Sequence, residues 1–319
     1  MSRTENPPAP PAPAVPPAPT AEESASPADE RLYADGHPYD DVHYLEAKII
    51  LKGLRFQALQ DFHDFAKIVN RVAKRIGVGF DPDARRGVRP QIREVLFFDT
   101  ADYALYRNAF ILRQRLTYVD GFPVGEPELV FKYRHPDREA ATALDVRPQI
   151  RGSYKVKFKE EILPLKNRLG GVRSLFSHNV QFPFRPRGLN DPTSPDTLVH
   201  VFPALAPIFA EHPHHVKLVN QTAVEEVLLD LGPLDFGKGM VAPCNVSLWR
   251  TRGEQFHLVG EFSYQVRYNQ ISDISPKALQ RHTDFFMALQ DEARDWVELG
   301  TTKTAAVYHL KGAGPVTHE

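Results

Sequence analysis

The sequence predicts an α+β fold: an antiparallel eight-stranded β-barrel, shaped as a tunnel, with flanking α-helices. Three observations lead there. Strand-like stretches follow one another without the regular strand–helix–strand alternation of a parallel sheet. Within those stretches the charged residues fall on one parity and the apolar residues on the other, so each strand has a charged face and an apolar face. Two long helical periods, at residues 56–76 and 276–299, carry apolar stripes able to cover the apolar faces.

Taken in order, residues 1–38 form a Pro/Ala-rich tail. Nine of the chain's 28 prolines lie within residues 1–30, with almost nothing that can be buried, so this part reads as disordered and partly polyproline-II. The folded part is expected over 39–311, with 312–319 as a C-terminal tail. Residues 41–52, DVHYLEAKIILK, make the first strand: Leu45, Ala47, Ile49 and Leu51 share one face, and Tyr44, Glu46, Lys48 and Ile50 the other. The helix at 56–76 stops at Gly77. Residues 80–93 are a loop rich in Arg and Pro, followed by strands at 95–98 and 110–116, a hairpin turn at 118–128 around Gly121 and Gly125, and strands at 128–134 and 154–162.

Residues 163–213 are Pro-rich and read as an insertion or lid with one helix candidate at 198–211. Strands resume at 216–219, 223–231, 245–251 and 256–268. Ser275-Pro276 supplies an N-cap and a first-turn proline for the helix through 299, which Gly300 ends, and 301–310 reads as a last strand carrying Lys303.

Composition removes several function classes. The net charge of −1 points to no polyanionic partner through global charge, so any anion site must come from local clustering. The single cysteine, Cys244, excludes an internal disulfide and suits a reducing cytoplasm. No apolar run approaches the roughly 18 residues of a membrane span, and the N-terminus lacks the basic-then-apolar order of a secretion signal. Lys and Arg alternate along strands rather than lining one exposed helix, which argues against nucleic acid. His212, His214 and His215, interrupted by a proline, read as a surface loop rather than a metal site.

The chemistry is concentrated in FFDTADYALYRNAFILRQR, residues 97–115. Its closing strand sets Arg113 and Arg115 on one face, where the two guanidiniums repel unless an anion or carboxylates lie between them. The same parity on other strands supplies Lys48, Lys132 with Arg134, and Lys155, Lys157 and Lys159 with Glu161. If the barrel closes with these faces inward, Lys48, Arg113, Arg115, Lys132, Lys157 and Lys159 outnumber Glu46, Glu161 and Glu261, even with Asp99 and Glu226 added. Like charges in restricted solvent require carboxylates or a bound polyanion, and the polyanion expected is a small molecule such as a triphosphate, a nucleotide or polyphosphate.

The order of Glu46-x-Lys48, then Phe97-Phe98-Asp99-Thr100, then Leu112-Arg113-Gln114-Arg115, then the Lys132 strand and the Lys/Glu strand at 154–162 resembles the CYTH superfamily, the triphosphate tunnel metalloenzymes. The resemblance spans about 39–311, and its specific part is FFDT…LRQR. It implies a metal-dependent phosphohydrolase acting on inorganic, nucleoside or thiamine triphosphate. A non-catalytic binding module, a polyphosphate polymerase-like member or an adenylate cyclase-like member are the alternatives. It further implies Glu46 and Lys48 as catalytic residues, Lys48, Arg113, Arg115, Lys132, Lys157, Lys159 and Lys303 as triphosphate ligands, and Glu46, Glu161 and Glu261 as ligands of Mg2+ or Mn2+. The sequence departs from the family pattern where Tyr44 and Ser263 stand at usual carboxylate positions and where Asn220 and Gln221 stand in place of an expected arginine.

Overall fold

The computed structural model describes residues 32–33, 36, 38–85, 87–150, 153–183, 193–312 and 314–315. Nine strands close into a barrel: β1 (Tyr44–Lys52), β2 (Gln91–Asp99), β3 (Phe110–Val119), β4 (Phe122–His135), β5 (Lys155–Pro164), β6 (Val172–Pro183), β8 (Val224–Gly237), β9 (Met240–Thr251) and β10 (His257–Arg267). The spatial order is β3-β4-β6-β5-β1-β10-β9-β8-β2, and β2 pairs back onto β3. A two-residue strand, β7 (Lys217–Leu218), adds only to the end of β2. The barrel therefore has nine strands rather than eight and is mixed, because β1 and β5 run parallel, with Tyr44 opposite Lys159 and Glu46 opposite Glu161.

The strand beyond the expected eight is β6, which lies inside the segment read as an insertion or lid. It pairs with both β4 and β5, so residues 172–183 are part of the barrel wall. Alternation is hard to see there because both faces are mixed: Leu175 points inward among Ser177 and Asn179, while Ser174 and His178 lie on the opposite parity with Val180 and Phe182. The helix candidate at 198–211 is two helices, α4 (Pro195–Val201) and α5 (Ala206–Glu211), separated where Pro203 cannot donate into a continuing helix. The last expected strand is a helix, α7 (Lys303–Tyr308), because Thr302 caps it by accepting from the Ala305 N–H. The Pro/Ala tail lies mostly outside the described residues, but Leu32 bridges to Pro38 and buried Tyr33 packs edge-on to Tyr39 and His178. Order thus begins before residue 39.

Helices cover the barrel on opposite sides. The amphipathic α1 (Leu59–Ile76), ended by left-handed Gly77, and α6 (Pro276–Glu292), capped by Ser275, bury their stripes against the outward side chains of β1, β8, β9 and β10. Gly260 is required in this packing, since a Cβ there would stand 2.4 Å from the ring of Phe56. α4, α5 and the turn between them cover the outward faces of β3, β4, β5 and β6 with Val201, Phe202 and Phe209. Two short helices, α2 (Ala104–Arg107) and α3 (Arg138–Ala143), sit in connections. Among the described residues no helix is long and apolar enough to cross a membrane.

His178 and His282 are buried in apolar surroundings, beside Phe158 and beside Phe236, Tyr264 and Phe286 respectively. Burial pushes the pKa of each down to about 4. A folded pKa below the unfolded one means that the unfolded chain takes up the proton first, so stability is lost as pH falls below about 6.5. At pH 5 the loss amounts to about 2 kcal/mol per histidine. Buried Asp99, raised to about 6, acts in the opposite sense over the same window, so the test is a difference. His282→Phe is expected to flatten the fall in urea-unfolding free energy between pH 7 and pH 5 by about that amount; a curve parallel to the wild type would exclude His282 as a contributor.

Candidate functional site: a cation-rich bore

Strand register stacks the inward rows into one cavity of about 300 Å3. Along β1 the inward side chains run Tyr44, Glu46, Lys48, Ile50; along β5 they run Lys157, Lys159, Glu161, Leu163. β3 contributes Arg115 and Arg113, β4 Lys132 and Arg134, β2 Arg93, β8 Glu226, and β10 Glu261 and Ser263. Glu46, Lys48, Arg113, Arg115, Lys132, Lys157, Lys159, Glu161 and Glu261 line this interior, Lys155 and Asp99 do not, and Lys303 joins from the first turn of α7 rather than from a strand. Arg93 and Glu226 complete the charged lining. Arg93 was hidden in the segment read as an Arg/Pro loop, because β2 begins at Gln91, ahead of the aromatic pair that marks it.

One end of the bore is closed. Ile50, Val95, Phe97, Ile111, Val224, Trp249 and Val259 continue the same inward rows as apolar residues and pack with Val307 and Tyr308 of α7. Residues 296–308 lie across this end. The Trp296 carbonyl accepts from the Lys52 N–H, the Glu298 N–H donates to the Ile50 carbonyl, and Asn220 donates to the Val307 carbonyl at 2.7 Å. Asp99, the acid of the FFDT motif, belongs to this closure rather than to the cavity. Its carboxylate accepts from the backbone N–H groups of Thr100, Leu105 and Tyr106 and from the Tyr308 hydroxyl at 2.8–3.0 Å. Asn220, at the place of an expected arginine, serves the same closure.

The deep part of the bore is organised on Glu161. This carboxylate accepts from Lys132 Nζ at 2.7 Å and Ser177 Oγ at 2.7 Å, and pairs with Lys48 Nζ at 3.1 Å and Arg134 Nε at 3.3 Å. Burial opposes its charge, but Arg134, Lys132 and Lys48 outweigh burial and hold its pKa well below the carboxylate range. Glu46 bridges Lys48 at 3.0 Å and Lys159 at 2.9 Å and is likewise held low against burial by Lys159 and Lys48. Burial also opposes the charge on Lys48, yet Glu161 and Glu46 raise its pKa to about 12. Lys303 spans Glu261 at 2.7 Å and Glu226 at 3.1 Å with its ammonium 4.8 Å from the Trp249 ring centre; Arg93 reaches Glu226 at 3.4 Å.

The carboxylates do not balance the bases. Nine cationic side chains line the cavity against Glu46, Glu161, Glu226 and Glu261, an excess of five positive charges. Among the described residues neither Arg113 nor Lys157 has a carboxylate partner. Burial first, and then the neighbouring Arg115 guanidinium, push the Arg113 pKa down to about 9. Burial followed by Lys159 lowers Lys157, and burial followed by Arg134 pushes Lys132 well below its ordinary value. Arg115 pairs with Glu128 nearer the mouth.

The expected metal set does not fit a resident ion. Glu46, Glu161 and Glu261 each stand in contact with one or more lysines, and among the described residues no three His, Cys, Asp or Glu side chains are grouped to hold a metal. Ser263 hydrogen-bonds Asn245 at 3.3 Å, and Tyr44 lies between Lys157 and Arg267, so neither supplies the missing carboxylate.

No family model and no curated protein matches this chain. Solved structures to which this chain is similar include a Hippeastrum protein described as an adenylyl cyclase candidate with a dominant triphosphatase activity (13% identity, 86% of this chain and 98% of that one, TM-score 0.40). A Pyrococcus horikoshii protein matches at 13% identity over 83% and 99% of the two chains with TM-score 0.34. A Bacillus halodurans adenylate cyclase candidate matches at 9% identity over 82% and 95%, also with TM-score 0.34.

The Glu161 cluster generates a direct test. Glu161→Gln leaves Lys48, Lys132 and Arg134 buried with their main counter-charge removed, and is expected to lower unfolding free energy by about 3–5 kcal/mol in urea titrations. Added inorganic triphosphate is expected to recover part of that loss. A substitution costing under about 1 kcal/mol would show that the cluster is not held by Glu161.

Proposed function

We propose that the bore binds the triphosphate group of a small molecule. The observation that carries this is the excess of five positive charges in a cavity closed at one end, with Arg113 and Lys157 lacking carboxylate partners among the described residues. A triphosphate brings about four negative charges near neutral pH, one per phosphoryl unit and another from a terminal ionisation near pH 6. It offers oxygens along a line, matching cations that descend the strands in rungs, and it would substitute for the counter-charge the barrel lacks.

Hydrolysis of that group with Mg2+ or Mn2+ is the further step implied by the sequence resemblance. The paired state of Glu46, Glu161 and Glu261 supports binding more directly than turnover. Phosphate release from inorganic, nucleoside or thiamine triphosphate that depends on manganese and disappears in Glu46→Gln would establish an enzyme; binding without release would establish a binding module.

Binding has a signature that separates it from ordinary surface attraction. Arg113→Met removes a half-buried cation that has no carboxylate partner among the described residues while keeping an unbranched side chain, so it is expected to raise the melting temperature of the ligand-free protein. The same change is expected to weaken inorganic triphosphate at least about tenfold in calorimetric titration, the scale of one lost charge-assisted contact. A variant that melts lower and binds triphosphate unchanged would remove Arg113, and the charge-excess argument, from the site.

A further inference from the structure

Two ammoniums in the bore each bridge a pair of carboxylates. Lys48 Nζ lies 3.0 Å from Glu46 and 3.1 Å from Glu161, which stand opposite each other on the parallel strands β1 and β5. Lys303 Nζ lies 2.7 Å from Glu261 and 3.1 Å from Glu226. We propose that the bore takes its triphosphate free of metal, with these two ammoniums standing where bridging divalent ions would stand. The inference rests on the triphosphate reading above and adds the ionic form in which the ligand enters.

Occupancy comes first. All four acids of the lining are engaged in the two bridges. Glu46 also holds Lys159 at 2.9 Å, and Glu161 holds Lys132 at 2.7 Å and Arg134 at 3.3 Å. An ammonium between two carboxylates supplies positive charge and hydrogen-bond donors to both. A divalent ion entering either pair has to displace it. Lys48, whose side chain is only 12% exposed, would then be left buried without its counter-charges. Lys303 is held further by the Trp249 ring, whose centre is 4.8 Å from its ammonium, and by the Thr302 cap of α7.

Charge then decides between the two forms of ligand. The lining carries an excess of five positive charges. A triphosphate with about four negative charges leaves an excess of about one. A divalent ion bound beside it would raise that excess to about three, in surroundings where uncompensated charge is costly. Tyr44 and Ser263 turn this balance. With carboxylates at both positions the filled bore would be about one positive charge short, which a divalent ion would supply. With a tyrosine and a serine there, the shortage does not arise.

The test is calorimetric titration of the full chain with inorganic triphosphate at matched ionic strength, once in EDTA and once with Mg2+ in excess over the triphosphate. Binding is expected in EDTA. Excess Mg2+ is expected to weaken it at least about tenfold, because the ion must leave the triphosphate before the bore accepts it. A second titration uses Mn2+ alone and needs no triphosphate. Lys303→Met keeps an unbranched side chain beside Trp249 but leaves Glu226 and Glu261 with no ammonium between them. This variant is expected to bind Mn2+ at least about tenfold tighter than the wild type. Triphosphate binding that requires metal, or a Lys303→Met protein with no gain in Mn2+ affinity, overturns metal-free binding and leaves the triphosphate site standing. If inorganic triphosphate binds in neither buffer, the triphosphate site falls and metal-free binding falls with it.

Discussion

The structure depends on keeping many cations inside a closed wall. A buried ammonium or guanidinium is tolerated only with a counter-charge and satisfied hydrogen bonds, and the wall provides one carboxylate, Glu161, that meets three of them at once. Ser177 completes the set from β6, so the strand hardest to see in the sequence holds a partner of the most connected acid. Glu46, beside Glu161 on the neighbouring strand, and Glu226 on β8 repeat the arrangement, each shared between two bases. Sharing does not remove the excess: Glu46, Glu161 and Glu226 each serve more than one cation and Glu261 serves Lys303, and among the described residues Arg113 and Lys157 have no carboxylate partner.

Register turns this chemistry into an axis. On three wall strands the inward row passes from charged to apolar: from Glu46 and Lys48 to Ile50 on β1, from Arg115 and Arg113 to Ile111 on β3, and from Glu226 to Val224 on β8, while β4 carries Lys132 and Arg134 opposite and beyond Ile111. Exposure follows the same direction. The side chains of Arg93 and Arg115 keep 22% and 21% of their accessible surface, against 7% for Lys132 and 9% for Arg134. A polyanion entering here exchanges water for progressively more buried cations, where each contact is stronger because the surroundings are drier.

Much of this was legible from parity alone. A strand's side chains alternate regardless of what the strand pairs with, so the inward rows of β1, β3, β4, β5 and β10 could be written down from the sequence. What parity does not carry is pairing partner and depth. Nothing in the YKVKFKEEI run says that β5 lies parallel to β1, and only that pairing sets Glu161 beside Glu46. Asp99 shows the complementary failure: it shares the inward parity of Phe97 but lies beyond the apolar layer, where the N–H groups of α2 take its oxygens. Lys303 shows a third, since its place in the bore survives although its strand does not exist, because the first turn of a helix crossing the barrel end points it inward as well as a strand would.

The departures from the four-carboxylate pattern acquire a physical reading in this geometry. A hard divalent cation needs several oxygens drawn together, whereas here the acids are held apart by the lysines between them. Tyr44, in place of an acid at the mouth, exchanges a charge for an aromatic face already in contact with two cations. Ser263, in place of an acid deeper in, is satisfied by Asn245 and leaves Glu261 to Lys303. Neither side chain adds a carboxylate oxygen to the cavity, and both leave its cations in excess. In such a bore the lysines can move from carboxylate to phosphate oxygen without leaving ionic contact, so the cost of opening each internal pair is offset by the pair that forms with the ligand.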